Sequence, residues 1–129
     1  MELSNQQILA CLKKGTPFAV AAILSHKGST PRTSGSRMIV LPDGTILGTI
    51  GGGLVEATVR ETCLELIPKK TCRIRSFTLN QELKAGLDMV CGGSLTVLME
   101  TLVPSPELIS VFQALVDQAR AGKKGTLVS

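Results

Sequence analysis

The chain has 129 residues, 43% of them apolar, with only three Phe and no Trp or Tyr, and a formal net charge of +4. That length suits one ordinary domain whose core must be aliphatic, and it leaves no aromatic platforms of the kind on which single-stranded nucleic acids stack. The basic residues are scattered over Lys13/Lys14, Lys69/Lys70 with Arg73/Arg75, and Lys123/Lys124, which argues against a DNA footprint and leaves small anions as ligands.

Ser4 reads as the N-cap of a short amphipathic helix over 4–14, with Ile8, Leu9 and Leu12 on one face and Gly15 as its stop. The apolar run Phe18 to Leu24 has strand length and suits a central position covered on both sides. Lys27 to Arg37 is too polar and too rich in Gly and Pro for either regular element. A hairpin follows, Met38–Leu41 and Ile46–Ile50 around Pro42-Asp43-Gly44-Thr45. Gly51-Gly52-Gly53 then leads into a helix with Val55, Val59, Thr62, Cys63 and Leu66 on one stripe, expected to end before Pro68. Residues 71–79 read as a strand near a sheet edge, with Arg73 and Arg75 outward and Cys72 and Ile74 inward. Gln81 to Lys84 could form one turn of helix, and Gly86 to Gly93 reads as irregular and holds a second glycine turn, Gly92-Gly93, before a clear strand from Ser94 to Leu102. Ser105 and Pro106 open a last helix with a stripe of Leu108, Phe112, Leu115, Val116 and Ala119, stopped by Gly122. The expected class is α+β, a mixed β-sheet with packed helices in a single compact domain. Because residues 125–129 read as the middle of a strand, residues 1–129 are expected to be the N-terminal part of a longer chain or a short form.

The N-terminus is polar and amphipathic rather than a signal peptide, and no apolar run approaches the roughly 20 residues that span a bilayer. A cytoplasmic protein that does not enter membranes is expected. Cys11, Cys63, Cys72 and Cys91 contain no C-x-x-C pair and fit neither a zinc site nor a disulfide framework, so free thiols are expected, with Cys11, Cys63 and Cys72 used in packing.

Three stretches carry candidate chemistry. The first is Gly48 to Glu56. Its glycines either make a tight strand-to-helix turn or open the main chain to an anion at the positive end of the helix. It is no dinucleotide fingerprint, because Glu56 stands where the third glycine belongs and no acidic residue follows at the ribose distance; a Walker lysine is also missing. Glu56 has a structural reading, in which it favours the helix dipole with Arg60 as its i+4 partner, and a functional one, in which it holds a donor-rich heterocycle or orders the loop that does. The second stretch sets Arg32 among Ser29, Thr30, Thr33 and Ser34, the mixture of bidentate cation and hydroxyls that phosphate recognition uses, though an ordinary polar loop has the same composition. Arg37 is a weaker candidate beside it. The third is Cys91, at a glycine turn beside a strand start, either an inert buried thiol or one able to ligate a soft metal or carry sulfur. His26, the only histidine, is read as a strand-end residue.

Taken in order, Gly28-Ser29-Thr30-Pro31-Arg32, Gly35-Ser36-Arg37-Met38, Asp43-Gly44, Gly48 to Gly53 with Glu56, and Met89 with Cys91-Gly92-Gly93 resemble the XdhC/CoxI family of molybdenum-hydroxylase accessory proteins. The resemblance runs from about residue 8 to residue 102. It implies a maturation factor that transiently binds the molybdenum cofactor (molybdopterin) and protects it during sulfuration. Such a factor then passes the cofactor to a xanthine-dehydrogenase-type apo-hydroxylase, with a cysteine desulfurase as the other partner. The cofactor-binding positions it implies are Gly28, Ser29, Pro31, Arg32, Gly35, Gly51, Gly52, Gly53, Glu56, Cys91, Gly92 and Gly93, with Cys91 as the contact to molybdenum or sulfur. Many relatives of this kind continue into a Rossmann-like second domain. A non-catalytic chaperone is the leading expectation. A nucleotidyl- or sulfur-transferase acting on the cofactor, or a pure interaction module, are the alternatives, and a homodimer is compatible with a small aliphatic domain that has an open sheet edge.

Overall fold

The computed structural model describes residues 3–27, 36–51, 53–78 and 94–123. Eight elements follow in chain order: α1 (Asn5–Lys13), β1 (Phe18–Lys27), β2 (Arg37–Val40), β3 (Ile46–Gly48), α2 (Gly53–Lys69), β4 (Cys72–Thr78), β5 (Ser94–Leu102) and α3 (Pro106–Lys123). The α+β class expected from the sequence is what the fold shows. The sheet has the order β3-β2-β1-β5-β4, and although a mixed sheet was expected, each of its described pairings is antiparallel. The apolar run of β1 lies at the centre, and β4 lies at an edge, as the patterns predict.

The described residues divide into two compact units. The larger holds the sheet and α2. Alternation along β1 sends Ala19, Ala21 and Ile23 to one face, joined by Met38 and Val40 of β2, Val97 and Met99 of β5, and Phe77 of β4. Against that face packs the stripe of α2, Val55, Val59, Cys63, Leu66 and Ile67, all buried. Burying each such aliphatic side chain stabilises by about 1.5–3 kcal/mol, which is why a helix of unexceptional propensity holds its place. The hairpin turn closes with Gly44 N–H donating to the Leu41 carbonyl at 2.8 Å and Thr45 N–H to Asp43 Oδ1 at 2.9 Å. The Thr45 main-chain bond holds the Asp43 carboxyl below its usual range.

Several local expectations change. α2 does not end before Pro68 but runs through it to Lys69. The helix closes directly after it: Lys70 N–H donates to the Ile67 carbonyl (3.1 Å) and Thr71 N–H to the Leu66 carbonyl (3.4 Å). This is a Schellman closure, with Lys70 at φ 54° in the position glycine usually takes. On β4 the sidedness is reversed. Arg73 and Arg75 pair with Met99 and Val97 and so lie on the α2 side. Ile74, 61% exposed, and Cys72, an exposed free thiol rather than a packing residue, lie on the other side. Arg75 covers the Phe77 ring at 4.9 Å, shielding that aromatic at the sheet edge.

The smaller unit is the packed pair α1 and α3. Ser4 caps α1 as predicted, with Gln7 N–H donating to Ser4 Oγ (3.3 Å) and Ser4 N–H to Gln7 Oε1 (2.9 Å). Ile8, Leu9, Cys11 and Leu12 are buried. α3 is capped by Ser105, whose Oγ accepts from Leu108 N–H at 3.1 Å. Its buried side narrows to Val116, since Leu115 is 39% exposed and Ala119 is exposed, and the helix continues past Gly122 to Lys123.

Candidate functional site

The glycine-rich stretch leaves β3 at Gly48, which pairs with Met38 of β2, and enters α2 at Gly53. Gly48, Gly51 and Gly53 all take positive φ, 81°, 134° and 68°, so the turn follows a path that side chains with a Cβ resist. Ile50, expected in the strand, lies beyond its end and instead sends its side chain into the core, 2% exposed. It anchors the turn to the sheet.

A single carboxylate organises the rest. Glu56, in the first turn of α2, accepts Thr49 Oγ1–H at 2.6 Å and Ile50 N–H at 3.2 Å on the same oxygen, Oε1. Thr49 Oγ1 in turn accepts Gly51 N–H at 3.1 Å. Of the readings open for Glu56, this geometry is that of a residue ordering the loop. The negative charge is also well placed for the dipole of α2. Arg60 is not its partner: Arg60 Nε donates to the Gly44 carbonyl of the hairpin turn at 2.8 Å, tying α2 to that turn. Arg37 Nη2 likewise donates to a main-chain carbonyl, that of Leu3, at 3.0 Å.

Thr49 was not among the sequence candidates. It stands seven residues before Glu56, a spacing that matches no capping box, and only the folded turn brings the two together. The N–H groups of Ile50 and Gly51 are thereby engaged inside the turn, so Gly51 shapes the loop through its main chain. Gly53 is exposed, beside an exposed Leu54 (50%).

Of the other expected site residues, Gly28, Ser29, Pro31, Arg32, Gly35, Gly52, Cys91, Gly92 and Gly93 lie outside the described residues. The strand ends that adjoin them are described. Lys27, from which the Arg32 segment departs, pairs with Ser94, into which the Cys91 segment leads, and Ser94 also pairs with Thr78. β1, β3 and β4 run toward this end of the sheet while β2 and β5 run back from it, but β3 stops short: Gly48 pairs with Met38 and Met38 with Ala21, so the glycine turn leaves the sheet six residues of β1 before Lys27. On the way there β1 carries a bulge: Ile23 pairs with Val97 and Ser25 with Thr96, which leaves Leu24, 47% exposed, without an opposite residue. Such an insertion re-aims the last residues of a strand. Among the described residues no group of three or more His, Cys, Asp or Glu could hold a metal, and no helix is long and apolar enough to cross a membrane.

The described cysteines Cys11, Cys63 and Cys72 are free thiols. Burial pushes the Cys63 thiol from 9.0 up to about 12 and raises that of Cys11.

Comparison with known proteins gives a consistent set of matches. The XdhC and CoxI family model matches residues 11–78. The chain is 34% identical over 109 residues to the uncharacterized protein YqeB of Escherichia coli K12, covering 84% of this chain and 20% of that protein. It is 29% identical over 118 residues to the molybdenum cofactor insertion chaperone PaoD of the same organism, covering 81% of this chain and 36% of PaoD. The crystal structure of a protein described as a xanthine dehydrogenase from Bacillus halodurans matches with a TM-score of 0.72 at 26% identity, covering 94% of this chain and 36% of that one. The chain thus spans between 20% and 36% of the length of these relatives.

Proposed function

The chain belongs to the XdhC and CoxI family, and from that premise we propose that it is a chaperone for the molybdenum cofactor, holding molybdopterin transiently and passing it to an apo molybdenum hydroxylase of the xanthine dehydrogenase type. The name of the relative PaoD, a molybdenum cofactor insertion chaperone, supports the reading. A cysteine desulfurase that supplies sulfur to the bound cofactor is the second partner in this scheme, and the cytoplasm is its setting.

The observation that carries the proposal is the turn locked by Glu56, which lies within the family match together with the Arg32 segment; β3 runs into that turn in the same direction in which β1 runs toward the Arg32 segment. The chemistry of these residues fits the cofactor. Exposed glycine main chain at Gly53, next to the apolar Leu54, suits a flat heterocycle. Gly28, Ser29, Pro31, Arg32 and Gly35 supply the guanidinium and hydroxyl that grip a phosphate. Cys91 with Gly92 and Gly93 supplies a soft thiolate for the metal or its sulfur. Glu56 orders the turn that would receive the ring, with Gly51 and Gly52 as its proposed glycine contacts.

The test is retention. Protein purified gently from molybdopterin-producing cells is gel-filtered, and its pterin is oxidised and measured by fluorescence. Wild type should carry pterin, and Arg32→Ala and Cys91→Ala should each carry less. A wild type without pterin, or two variants that hold as much as wild type, would overturn the proposal.

A further inference from the structure

We infer that Thr49 is a positioning residue for the cofactor site, holding the glycine turn in the one conformation that receives the ligand; the inference rests on the chaperone reading above. Thr49 Oγ1 sits at the centre of a relay. It donates to Glu56 Oε1 at 2.6 Å and accepts from Gly51 N–H at 3.1 Å, so one hydroxyl links the helix to the middle of the turn. A short bond to a carboxylate is among the stronger hydrogen bonds available to a neutral side chain.

Among the described residues three contacts hold the turn, and they do different work. Ile50 fixes it to the core through a buried side chain. The bond from Ile50 N–H to Glu56 at 3.2 Å fixes it to α2. Neither reaches past Ile50. Among the described residues it is Thr49 whose side chain bonds Gly51, at φ 134°, from which the chain goes on to Gly53, the exposed glycine that opens α2. Removing the hydroxyl leaves the first two anchors intact, so the fold should survive while the glycine main chain gains freedom. A ligand would then have to order that main chain on binding, and the ordering is subtracted from its affinity.

This separates positioning from mere structure. Thr49→Val keeps the β-branched volume and removes the hydrogen bonds; Thr49→Ser keeps the hydroxyl. In the protein without ligand, Thr49→Val should speed amide hydrogen exchange at Gly51 by roughly tenfold, the loss expected when one ordinary hydrogen bond is removed, while Ile50, still bonded to Glu56, should change less. Exchange in the half of α2 beyond Thr62 should stay unchanged. In the pterin-retention assay Thr49→Val should lower retention by a similar roughly tenfold factor. Thr49→Ser should stay near wild type, and Thr49→Val should cost less once Glu56→Ala is present, since only the bond to Gly51 is then left to remove. Equal retention by Thr49→Val and wild type would overturn the inference while leaving the chaperone reading standing. So would a Thr49→Ser loss as deep as that of Thr49→Val, or faster exchange spread evenly over the sheet. A wild type that retains no pterin removes the reading and the inference together.

Discussion

Gly48 and Gly15 both take positive φ, 81° and 84°, yet the structure gives them different costs for a methyl group. A Cβ at Gly15 would meet nothing within 4 Å, whereas a Cβ at Gly48 would lie 2.8 Å from the Arg37 carbonyl oxygen and 3.2 Å from Leu3 Cβ. The left-handed backbone alone costs an L-residue roughly 1–2 kcal/mol, and alanine recovers about 0.4–1 kcal/mol of that by stiffening the unfolded chain. Gly15→Ala should therefore destabilise by roughly 0–1.6 kcal/mol. At Gly48 the obstructing atom is backbone, in the strand residue next to Met38, Gly48's own pairing partner, so the contact can be relieved only by opening the β2–β3 pairing. Overpacking of that kind adds about 1–3 kcal/mol, which brings Gly48→Ala to about 3 kcal/mol in all. Urea denaturation of the two variants, with m unchanged, reads the difference directly. A Gly48→Ala value within about 0.5 kcal/mol of Gly15→Ala, the usual error of such additive reasoning, would refute the claim that close approach to Arg37 requires this glycine.

Lys70→Gly should stabilise by about 0.5–1 kcal/mol, the left-handed strain relieved less the extra entropy of glycine, while Lys70→Ala should change little; a lower urea midpoint for the glycine variant would contradict the Schellman closure. The Cys63 thiol, raised by burial from 9.0 to about 12, makes the unfolded chain lose its proton first. Stability should consequently fall between those two pH values, by up to about 1.4 kcal/mol per pH unit, and Cys63→Ala should show a shallower fall; parallel slopes would count against it. Among the described cysteines, Cys72 should be labelled first by a thiol reagent under native conditions, with Cys11 and Cys63 protected until unfolding, and mass mapping of the adducts gives the order. Loss of Glu56 leaves Thr49 Oγ1–H and Ile50 N–H without their acceptor, so Glu56→Ala should cost about 2 kcal/mol in a thermal or urea melt; a neutral result would mean that water replaces the carboxylate without loss.

What was legible in the sequence was whatever depends on local periodicity. The stripe Val55, Val59, Thr62, Cys63 and Leu66 is buried as its helical spacing requires, and Ser4, Ser105 and Asp43-Gly44 cap and turn where their side chains can bond nearby main chain. Choices between competing partners were not legible. An exposed i,i+4 pair is worth about 0.2–0.5 kcal/mol, and a charged hydrogen bond to a carbonyl about 1.5–3 kcal/mol. Arg60 therefore turns from Glu56 to Gly44, a partner that only the tertiary fold supplies. On β4 the alternation separates Cys72 and Ile74 from Arg73 and Arg75, but hydrophobicity misassigns the sides because an edge strand lies partly uncovered on both.

The same distinction explains the site. Glycines and a helix start are visible in the letters. Which carboxylate oxygen takes up the donors of the turn is not, because Thr49 and Glu56 are joined across a reversal of the chain. Once they are joined, Glu56 becomes part of the loop's architecture. An anion placed against the same helix end would meet a charge already there, so the proposed function needs a cation elsewhere to grip a phosphate. In this chain the Arg32 segment, leaving β1 beyond the Leu24 bulge, is the candidate for that task. Under the proposed function the labour would divide, with the locked turn offering glycine main chain to the ring and Arg32 holding its charge.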